Sequence, residues 1–226
     1  MRNNTNLQAV IFDLDGVIVS TDNCHYLAWK QLADEEGIYF DRTINERLRG
    51  VSRMESLDII LERSDKSYTD AEKEAMATRK NTNYVKLIQS LTKDDILKGT
   101  MSVLEKLKEN GIKLAIGSSS KNAPIILRQI GLTDEFDAIA DGNHIKNSKP
   151  HPEVFLLASS MLGIDAKNCL VVEDADAGIE AAHAASMTAL GVGSASENPT
   201  AYYHALDLEQ VDIDKIIDTF EGGKQL

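Results

Sequence analysis

The sequence predicts an α/β fold, in which helices cover both faces of a parallel sheet and a helical unit is inserted into the chain. Three observations support this prediction. From Gly99 onward, helical and strand patterns alternate almost to the end of the chain. Near the N-terminus, the apolar run Ala9–Phe12 is typical of a buried strand that belongs to the same sheet. Between Thr21 and Leu91 the pattern is helical, without a convincing apolar strand.

The inserted segment is expected to contain three main helices. The first has an apolar face that includes Trp29 and Leu32, and Gly37 ends it. Capping-box spacings at residues 52–55 and 69–72 indicate the starts of the second and third helices.

The alternating region predicts the rest of the sheet and its covering helices. Because the chain passes twice between the sheet and the insertion, we expect two domains, a core of residues 1–21 and 92–226 and an inserted domain of residues 22–91. The predicted helices cover residues 101–109, 124–130, 153–162, 178–185 and 211–220, and the predicted strands cover 112–116, 138–140, 169–172 and 188–192.

Composition narrows the range of partners and compartments. The 226 residues are 42% hydrophobic and 27% charged, which is ordinary for a globular protein that buries a core. A net charge of −12 disfavours nucleic acid and anionic membranes as partners. The two cysteines, Cys24 and Cys169, show no metal-ligand spacing, and neither a signal peptide nor a membrane-spanning run is recognisable. We therefore expect a cytoplasmic protein.

Two carboxylates follow the first predicted strand. Asp13 and Asp15 flank Leu14 and lead into Gly16, and residues two apart on a strand point the same way. Ligands of open α/β sheets bind at the carboxyl ends of the strands. Two anions about 5 Å apart repel by about 3 kcal/mol at an effective dielectric constant of about 20, so we expect a cation beside them. The alternative is a simple Asp-Gly turn beside a solvated strand end.

Three later strand ends also carry polar residues. Ser118 begins a run of hydroxyl residues, Lys149 precedes Pro150, and Glu173 and Asp174 form a second acidic pair. Each has a structural alternative when taken alone, namely a helix N-cap, a solvated lysine, or acids that favour a helix N-terminus. Taken together, however, the residues follow a regular order along the chain, with an acidic pair, a hydroxyl, a lysine and a second acidic pair at successive strand ends. This order favours one common site.

This ordered set resembles the four motifs of the haloacid dehalogenase superfamily of phosphotransferases, and the likeness spans the chain. The resemblance implies a Rossmann-like core with a helical cap. It also implies one Mg²⁺ per chain, held by Asp13, by the backbone carbonyl of Asp15, and by Glu173 and Asp174. A hard cation that prefers oxygen ligands makes such a concentration of carboxylates tolerable.

The same resemblance implies catalytic roles. Asp13 would attack a phosphoryl group and become an aspartyl-phosphate, and Asp15 would transfer the proton. The Ser118 hydroxyl and the Lys149 ammonium would stabilise the negative charge of the phosphoryl transition state together with Mg²⁺.

The inserted segment resembles the cap of the β-phosphoglucomutase family. The residues that carry this likeness are His25 with Trp29, the run from Arg49 to Arg53, Arg79-Lys80-Asn81, and the core loop from Ser118 to Asn122. The chain departs from the family pattern at Ser20, Arg49 and Ala175, where Asp, Lys and Ser are common. By resemblance, the substrate-binding residues are Thr21, His25, Trp29, Arg49, Gly50, Val51, Ser52, Arg53, Lys80, Ser120, Lys121 and Asn122.

The resemblance implies a monomeric mutase that interconverts β-D-glucose 1-phosphate and D-glucose 6-phosphate, with hexose phosphates as its partners. β-Glucose 1,6-bisphosphate would be its intermediate and activator. A capped sugar-phosphate phosphatase is the nearest alternative, because it shares every core residue. A signalling receiver domain also uses Mg²⁺ and a phosphorylated Asp, but it lacks the long helical insertion and places its phosphoacceptor on a middle strand. A phosphate-binding module without turnover is the remaining alternative.

Overall fold

The computed structural model describes residues 6–48 and 51–222 and shows an α/β fold built on one sheet. Six parallel strands lie in the order β3-β2-β1-β4-β5-β6, so that β1 pairs with both β2 and β4. This architecture confirms the fold class. The strands are β1 Ala9–Phe12, β2 Lys113–Gly117, β3 Ala138–Ala140, β4 Cys169–Glu173, β5 Thr188–Gly191 and β6 Tyr203–His204.

The central position of β1 explains its unbroken apolar sequence. All four residues are fully buried, because helices cover both faces of the sheet. Val10 and Phe12 contribute to the hydrophobic cluster on one face, and Ala9 and Ile11 contribute to the cluster on the other. The strand therefore presents its C-terminal end, and whatever follows it, at the middle of the sheet edge.

The helices agree with the sequence prediction apart from details. The short helix α2 and the two-residue strand β6 were not expected, and α8 begins at Asp176 rather than at residue 178. The helices are α1 Asp22–Glu36, α2 Arg42–Glu46, α3 Arg53–Leu61, α4 Asp70–Ile88, α5 Thr100–Glu109, α6 Ala123–Gln129, α7 Glu153–Leu162, α8 Asp176–Ala184 and α9 Ile213–Thr219.

Helices α1 to α4 form the inserted unit. Both predicted capping boxes are confirmed. The side chains of Ser52 and Thr69 each accept a hydrogen bond from the backbone N–H three residues later, and the glutamate side chain at that later position accepts one from the backbone N–H of Ser52 or Thr69. The helices enclose a hydrophobic cluster of their own around Trp29 and Leu57. None of the helices in the described ranges is long and apolar enough to cross a membrane.

The two connections between the insertion and the sheet lie side by side. Val19 on the outgoing connection forms an antiparallel bridge with Ile96 on the returning one, and the Leu97 N–H donates to the Ile18 carbonyl at 2.9 Å. Tyr84 of α4 packs into the hydrophobic cluster of the sheet rather than into that of the insertion. The division into residues 1–21 with 92–226 and residues 22–91 stays a prediction, which the separate cluster of the insertion supports.

Candidate active site

A cavity of about 630 Å³ lies between the carboxyl ends of the strands and the inserted helices. The structure brings most of the predicted residues to its wall. Arg49 and Gly50 lie outside the described residues, and Thr21 does not line the cavity. The predicted residues in the wall are Asp13, Asp15, His25, Trp29, Val51, Ser52, Arg53, Lys80, Ser118, Ser120, Lys121, Asn122, Lys149, Glu173 and Asp174.

Three carboxylates converge where β1 and β4 end. The Asp13 N–H donates to the Val172 carbonyl at 2.9 Å, so the residue after β1 is held against β4. One oxygen each of Asp13, Glu173 and Asp174 lies within 4.8 Å of the other two. The turn at Gly16 allows this approach, because its φ is +84° and a Cβ there would lie 2.1 Å from Asp174 Oδ2.

The electrostatics of this cluster fit a divalent cation. Burial, followed by the charges of Asp13 and Glu173, raises the pKa of Asp174 to about 8. Burial also raises the pKa of Glu173, against the attraction of Lys149. Carboxylate oxygens are ligands that Mg²⁺ prefers, and a bound cation would favour the ionised form of these buried groups.

Lys149 is the protein's own counter-charge at the cluster. Its Nζ donates to Asp13 Oδ1 at 2.6 Å and also hydrogen-bonds to Glu173, and the residue is 5% exposed. Burial acts to lower the pKa of Lys149, but the two carboxylates outweigh it and the pKa is raised. Lys149 is therefore a permanent ammonium beside Asp13.

Asp15 faces the junction with the insertion rather than the acidic cluster. Its Oδ1 accepts from the Thr21 N–H and its Oδ2 accepts from the Thr21 hydroxyl, both at 2.6 Å. His25 Nε2 lies 3.9 Å from Oδ2. Burial raises the pKa of Asp15 to about 6, although the hydrogen bonds from Thr21 lower it. A carboxyl group that titrates near neutrality is suited to proton transfer.

The placement of Thr21 corrects its predicted role. The side chain is fully buried, and its hydroxyl donates to Asp15 and accepts from the Tyr84 hydroxyl at 2.9 Å. A side chain at this buried position, outside the cavity wall, does not contact a substrate. Thr21 instead holds the Asp15 carboxylate by two hydrogen bonds. The sequence analysis did not single out Tyr84 for the site. Its spacing of four residues from Lys80, on one face of α4, is the signal that could have found it.

His25 and Lys80 form a pair on the insertion side of the cavity. The Lys80 Nζ lies 3.0 Å from His25 Nδ1, and it also lies 4.6 Å from the ring centroids of Trp29 and Tyr84. When Lys80 is protonated it only donates, so Nδ1 of His25 then accepts and the hydrogen of the neutral imidazole is on Nε2, toward Asp15. Burial, then Lys80 and Arg53, lower the pKa of His25 well below its usual range. The histidine is therefore neutral.

The core loop after β2 combines structural and binding groups. The Ser118 hydroxyl accepts from the Ser120 N–H, and the Ser120 hydroxyl accepts from the Asn122 N–H, both at 3.2 Å. The Asn122 amide donates across the cavity to Asn81 of α4 at 2.9 Å. Arg79, by contrast, pairs with Glu36 on the exposed side of α4. Asn81 thus joins the site as a contact between the insertion and the core.

The start of α3 forms the remaining wall. The Ser52 hydroxyl accepts from the Glu55 N–H at 3.3 Å, so it caps the helix as well as lining the cavity. Arg53, the first residue of α3, is half-buried in the wall, and burial lowers the pKa of its guanidinium. A guanidinium beside a helix N-terminus is suited to binding a phosphate.

Comparison with known proteins agrees with this geometry. Residues 7–186 match the family model described as haloacid dehalogenase-like hydrolase. The chain belongs to this family. The resemblance of the four motifs is thereby confirmed, and the acidic cluster with Lys149 occupies the strand ends where those motifs lie.

Similar proteins of this family include both mutases and phosphatases. The chain is 48% identical to Bacillus subtilis beta-phosphoglucomutase over 83% of its own length and 84% of that protein. It is 31% identical to an Escherichia coli fructose-1-phosphate phosphatase over 81% of its length and 95% of the phosphatase. The crystal structure of beta-phosphoglucomutase from Clostridium difficile superposes with a TM-score of 0.87 at 45% identity, covering 93% of this chain and 95% of that one.

The raised pKa of Asp174 predicts that Mg²⁺ and protons compete at the cluster. Asp174 is mostly protonated at pH 7 without a cation, because its pKa is about 8. Binding of Mg²⁺ at pH 7 should therefore release at least about one proton, and the affinity should fall below pH 8 by about tenfold per pH unit for each proton displaced, since burial also raises the pKa of Glu173. Calorimetry in buffers of different ionisation enthalpy measures the proton release. Asp174→Asn should bind more weakly with less proton release, and exposed Asp176→Asn should match the wild type. Proton-neutral binding to the wild type would contradict the prediction.

Proposed function

We propose that this protein is a β-phosphoglucomutase, which interconverts β-D-glucose 1-phosphate and D-glucose 6-phosphate. The observation that carries the proposal is the acidic cluster beside Lys149, in a chain that is 48% identical to a relative of that name. The reaction would proceed through an aspartyl-phosphate on Asp13, with β-glucose 1,6-bisphosphate as intermediate and activator. The substrates are small anions, which the cations of the cavity would hold.

Asp13 would carry the phosphoryl group between the two positions of the sugar. The phosphorylated Asp13 donates its group to a sugar hydroxyl, so the bond between the Asp13 oxygen and phosphorus breaks and a sugar ester forms. Asp15 accepts the hydroxyl proton in this direction and returns it in the reverse direction. The Lys149 ammonium and the Ser118 hydroxyl stabilise the charge on the phosphoryl oxygens.

A single Mg²⁺ per chain would be held by the carboxylates of Asp13, Glu173 and Asp174 and by the backbone carbonyl of Asp15. When bound, the ion supplies positive charge that screens the nucleophile and the phosphoryl group from each other. Burial of these carboxylates, and the raised pKa of Asp174 to about 8 without a counter-ion, support this assignment.

The opposite end of the cavity would bind the phosphate that is not being transferred. Arg53 and the N-terminus of α3 face the cavity from the insertion, and the loop from Ser120 to Asn122 faces it from the core. His25, Trp29 and Lys80 would contact the sugar between them. By its resemblance, the segment with Arg49, Gly50, Val51 and Ser52 belongs to the same subsite. A second phosphate-binding end suits a bisphosphate intermediate.

A sugar-phosphate phosphatase is the second candidate function. The 31% identity to a fructose-1-phosphate phosphatase, over 81% of this chain, favours it. The two functions differ only in whether water or a sugar hydroxyl accepts the phosphoryl group. A monomeric, cytoplasmic protein without nucleic-acid or membrane partners remains part of the proposal. The net charge of −12 supports only the absence of nucleic acid and anionic membranes as partners.

Replacing the nucleophile tests the mechanism. Asp13→Asn should lose isomerisation by more than about 10³-fold, because an amide forms no aspartyl-phosphate. The assay follows glucose 6-phosphate formation from β-glucose 1-phosphate with added bisphosphate, and free phosphate is measured in parallel. Asp65→Asn, at an exposed position of the insertion, is the control and should retain activity. Retained turnover in Asp13→Asn would refute the mechanism, and wild-type phosphate release that equals or exceeds isomerisation would favour the phosphatase.

Arg53 provides a test of the second phosphate subsite. Arg53→Ala should raise KM for the sugar monophosphates by about 10- to 100-fold, because a charged hydrogen bond to phosphate contributes about 1.5 to 3 kcal/mol. Arg47→Ala serves as the matched control, since Arg47 pairs with Glu62 on the surface of the insertion. Unchanged kinetics of Arg53→Ala would show that Arg53 does not bind the second phosphate.

The lowered pKa of Lys80 predicts that substrate binding depends on pH. Burial, followed by the charge of Arg53, lowers the pKa of Lys80 to about 7. Because an anionic substrate binds the ammonium form better, KM for glucose 6-phosphate should rise as pH increases through 7. Steady-state kinetics between about pH 6.5 and 8.5 measure this effect. Lys80→Met should have a high KM with little pH dependence, whereas the exposed Lys66→Met should follow the wild type. The same pH profile in Lys80→Met would disprove the assignment.

A further inference from the structure

A chain of hydrogen bonds connects the insertion to Asp15 without passing through the cavity. The Tyr84 hydroxyl donates to Thr21 Oγ1 at 2.9 Å, and the Thr21 hydroxyl donates to Asp15 Oδ2 at 2.6 Å. Tyr84 and Thr21 are buried, with exposures of 1% and 0%. Neither residue belongs to the cavity wall, so their contact with a substrate is excluded by position.

The donors in this chain have only one consistent direction. The backbone N–H of Thr21 donates to Asp15 Oδ1, so both oxygens of the carboxylate accept from the same residue. A threonine hydroxyl has one proton and two lone pairs. Because an ionised carboxylate only accepts, the single Thr21 proton is directed at Asp15, and the Tyr84 hydroxyl donates to a lone pair of Thr21 and holds the Thr21 hydroxyl in this orientation. Tyr84 thereby fixes a hydrogen bond that it does not itself make.

The Tyr84 ring is held in place by groups that line the cavity. Its centroid lies 4.1 Å from that of His25, and the Lys80 Nζ lies 4.6 Å above it. Three residues before Tyr84 on the same helix, Asn81 accepts a hydrogen bond from Asn122 of the core. One face of α4 therefore contacts the core loop at Asn81 and the junction at Tyr84, so a movement of α4 displaces both contacts.

We propose that Tyr84 is a positioning residue, which orients the Asp15 carboxylate through Thr21 and transmits the position of the insertion to it. This inference rests on the proposed function, in which Asp15 transfers the proton of the sugar hydroxyl. Tyr84 contacts neither the substrate nor the reacting atoms. Its loss should consequently lower kcat and leave KM nearly unchanged.

Tyr84→Phe removes only the hydroxyl and keeps the ring between His25 and Lys80. We expect kcat to fall by about fivefold, as for the loss of one neutral hydrogen bond, with KM within about twofold of the wild type. Tyr68→Phe is the matched control, because it removes another hydroxyl of the insertion. The Tyr68 hydroxyl lies outside the cavity wall and is hydrogen-bonded to the Ser64 hydroxyl at 3.2 Å. That variant should retain the wild-type kcat.

A double-mutant cycle tests whether the effect passes through Thr21. Thr21→Val removes the hydroxyl between Tyr84 and Asp15, so adding Tyr84→Phe should change kcat no further. Thr21→Ser keeps the hydroxyl, and in this background Tyr84→Phe should again lower kcat by about fivefold. An unchanged kcat in Tyr84→Phe alone, or an equal loss in the Thr21→Val background, would overturn the proposal.

Amide hydrogen exchange separates this inference from the proposed function. The Thr21 N–H donates to Asp15, and it should exchange faster in Tyr84→Phe, whereas the Gly16 N–H, bonded to the Val19 carbonyl at 2.8 Å, should not. A wild type that neither isomerises glucose phosphates nor releases phosphate refutes the function. In that event, hydrogen exchange at the Thr21 N–H alone tests the link from Tyr84 through Thr21 to Asp15. Faster exchange in Tyr84→Phe would support this link, and unchanged exchange would disprove it.

Discussion

The confinement of carboxylates at the ends of β1 and β4 is the constraint on which the rest of the structure depends. Asp13, Glu173 and Asp174 place one oxygen each within 4.8 Å of the others. Two such charges about 5 Å apart repel by about 3 kcal/mol even at an effective dielectric constant of about 20. The buried ammonium of Lys149 offsets part of this repulsion, and the turn at Gly16 lets the acidic residues approach. Without a cation, protonation of Asp174 offsets more of the repulsion, since its pKa is raised to about 8, and a bound divalent cation would replace that proton.

The sheet and the insertion contribute different groups to the cavity. The core supplies the groups for phosphoryl transfer, because the parallel strands end at one edge and their polar termini converge there. Helices α1 and α4 supply His25, Trp29 and Lys80, while α3 contributes Arg53. In a chain of net charge −12, these cations attract an anionic substrate only at short range, since solvent screens charges beyond about 8 Å at physiological salt.

The sequence was sufficient for the fold class and for the core motifs, but not for the junction. Buried strands and capping boxes are local patterns, so β1 and the starts of α3 and α4 could be predicted. Thr21 stands before α1, where a threonine equally indicates a helix cap or a binding group. Its side chain does not cap α1, because the hydroxyl donates to Asp15 and accepts from Tyr84 instead. Tyr84 follows the apolar pattern of a helix, and only the tertiary structure brings its hydroxyl to Thr21, 63 residues away.

In the proposed reaction, the choice between water and sugar as acceptor would follow from where Asp15, the proton-transfer group, is held. Asp15 belongs to the core and accepts hydrogen bonds from Thr21, the last residue before the insertion, whose hydroxyl is bonded to Tyr84 within the insertion. If this carboxylate activates the acceptor only when α4 is in place, then activation coincides with contact between Asn81 and Asn122 across the cavity. Under those conditions the insertion covers the phosphoryl group and restricts water. A sugar hydroxyl held by the same insertion is then the favoured acceptor, which is the physical basis for a mutase rather than a phosphatase.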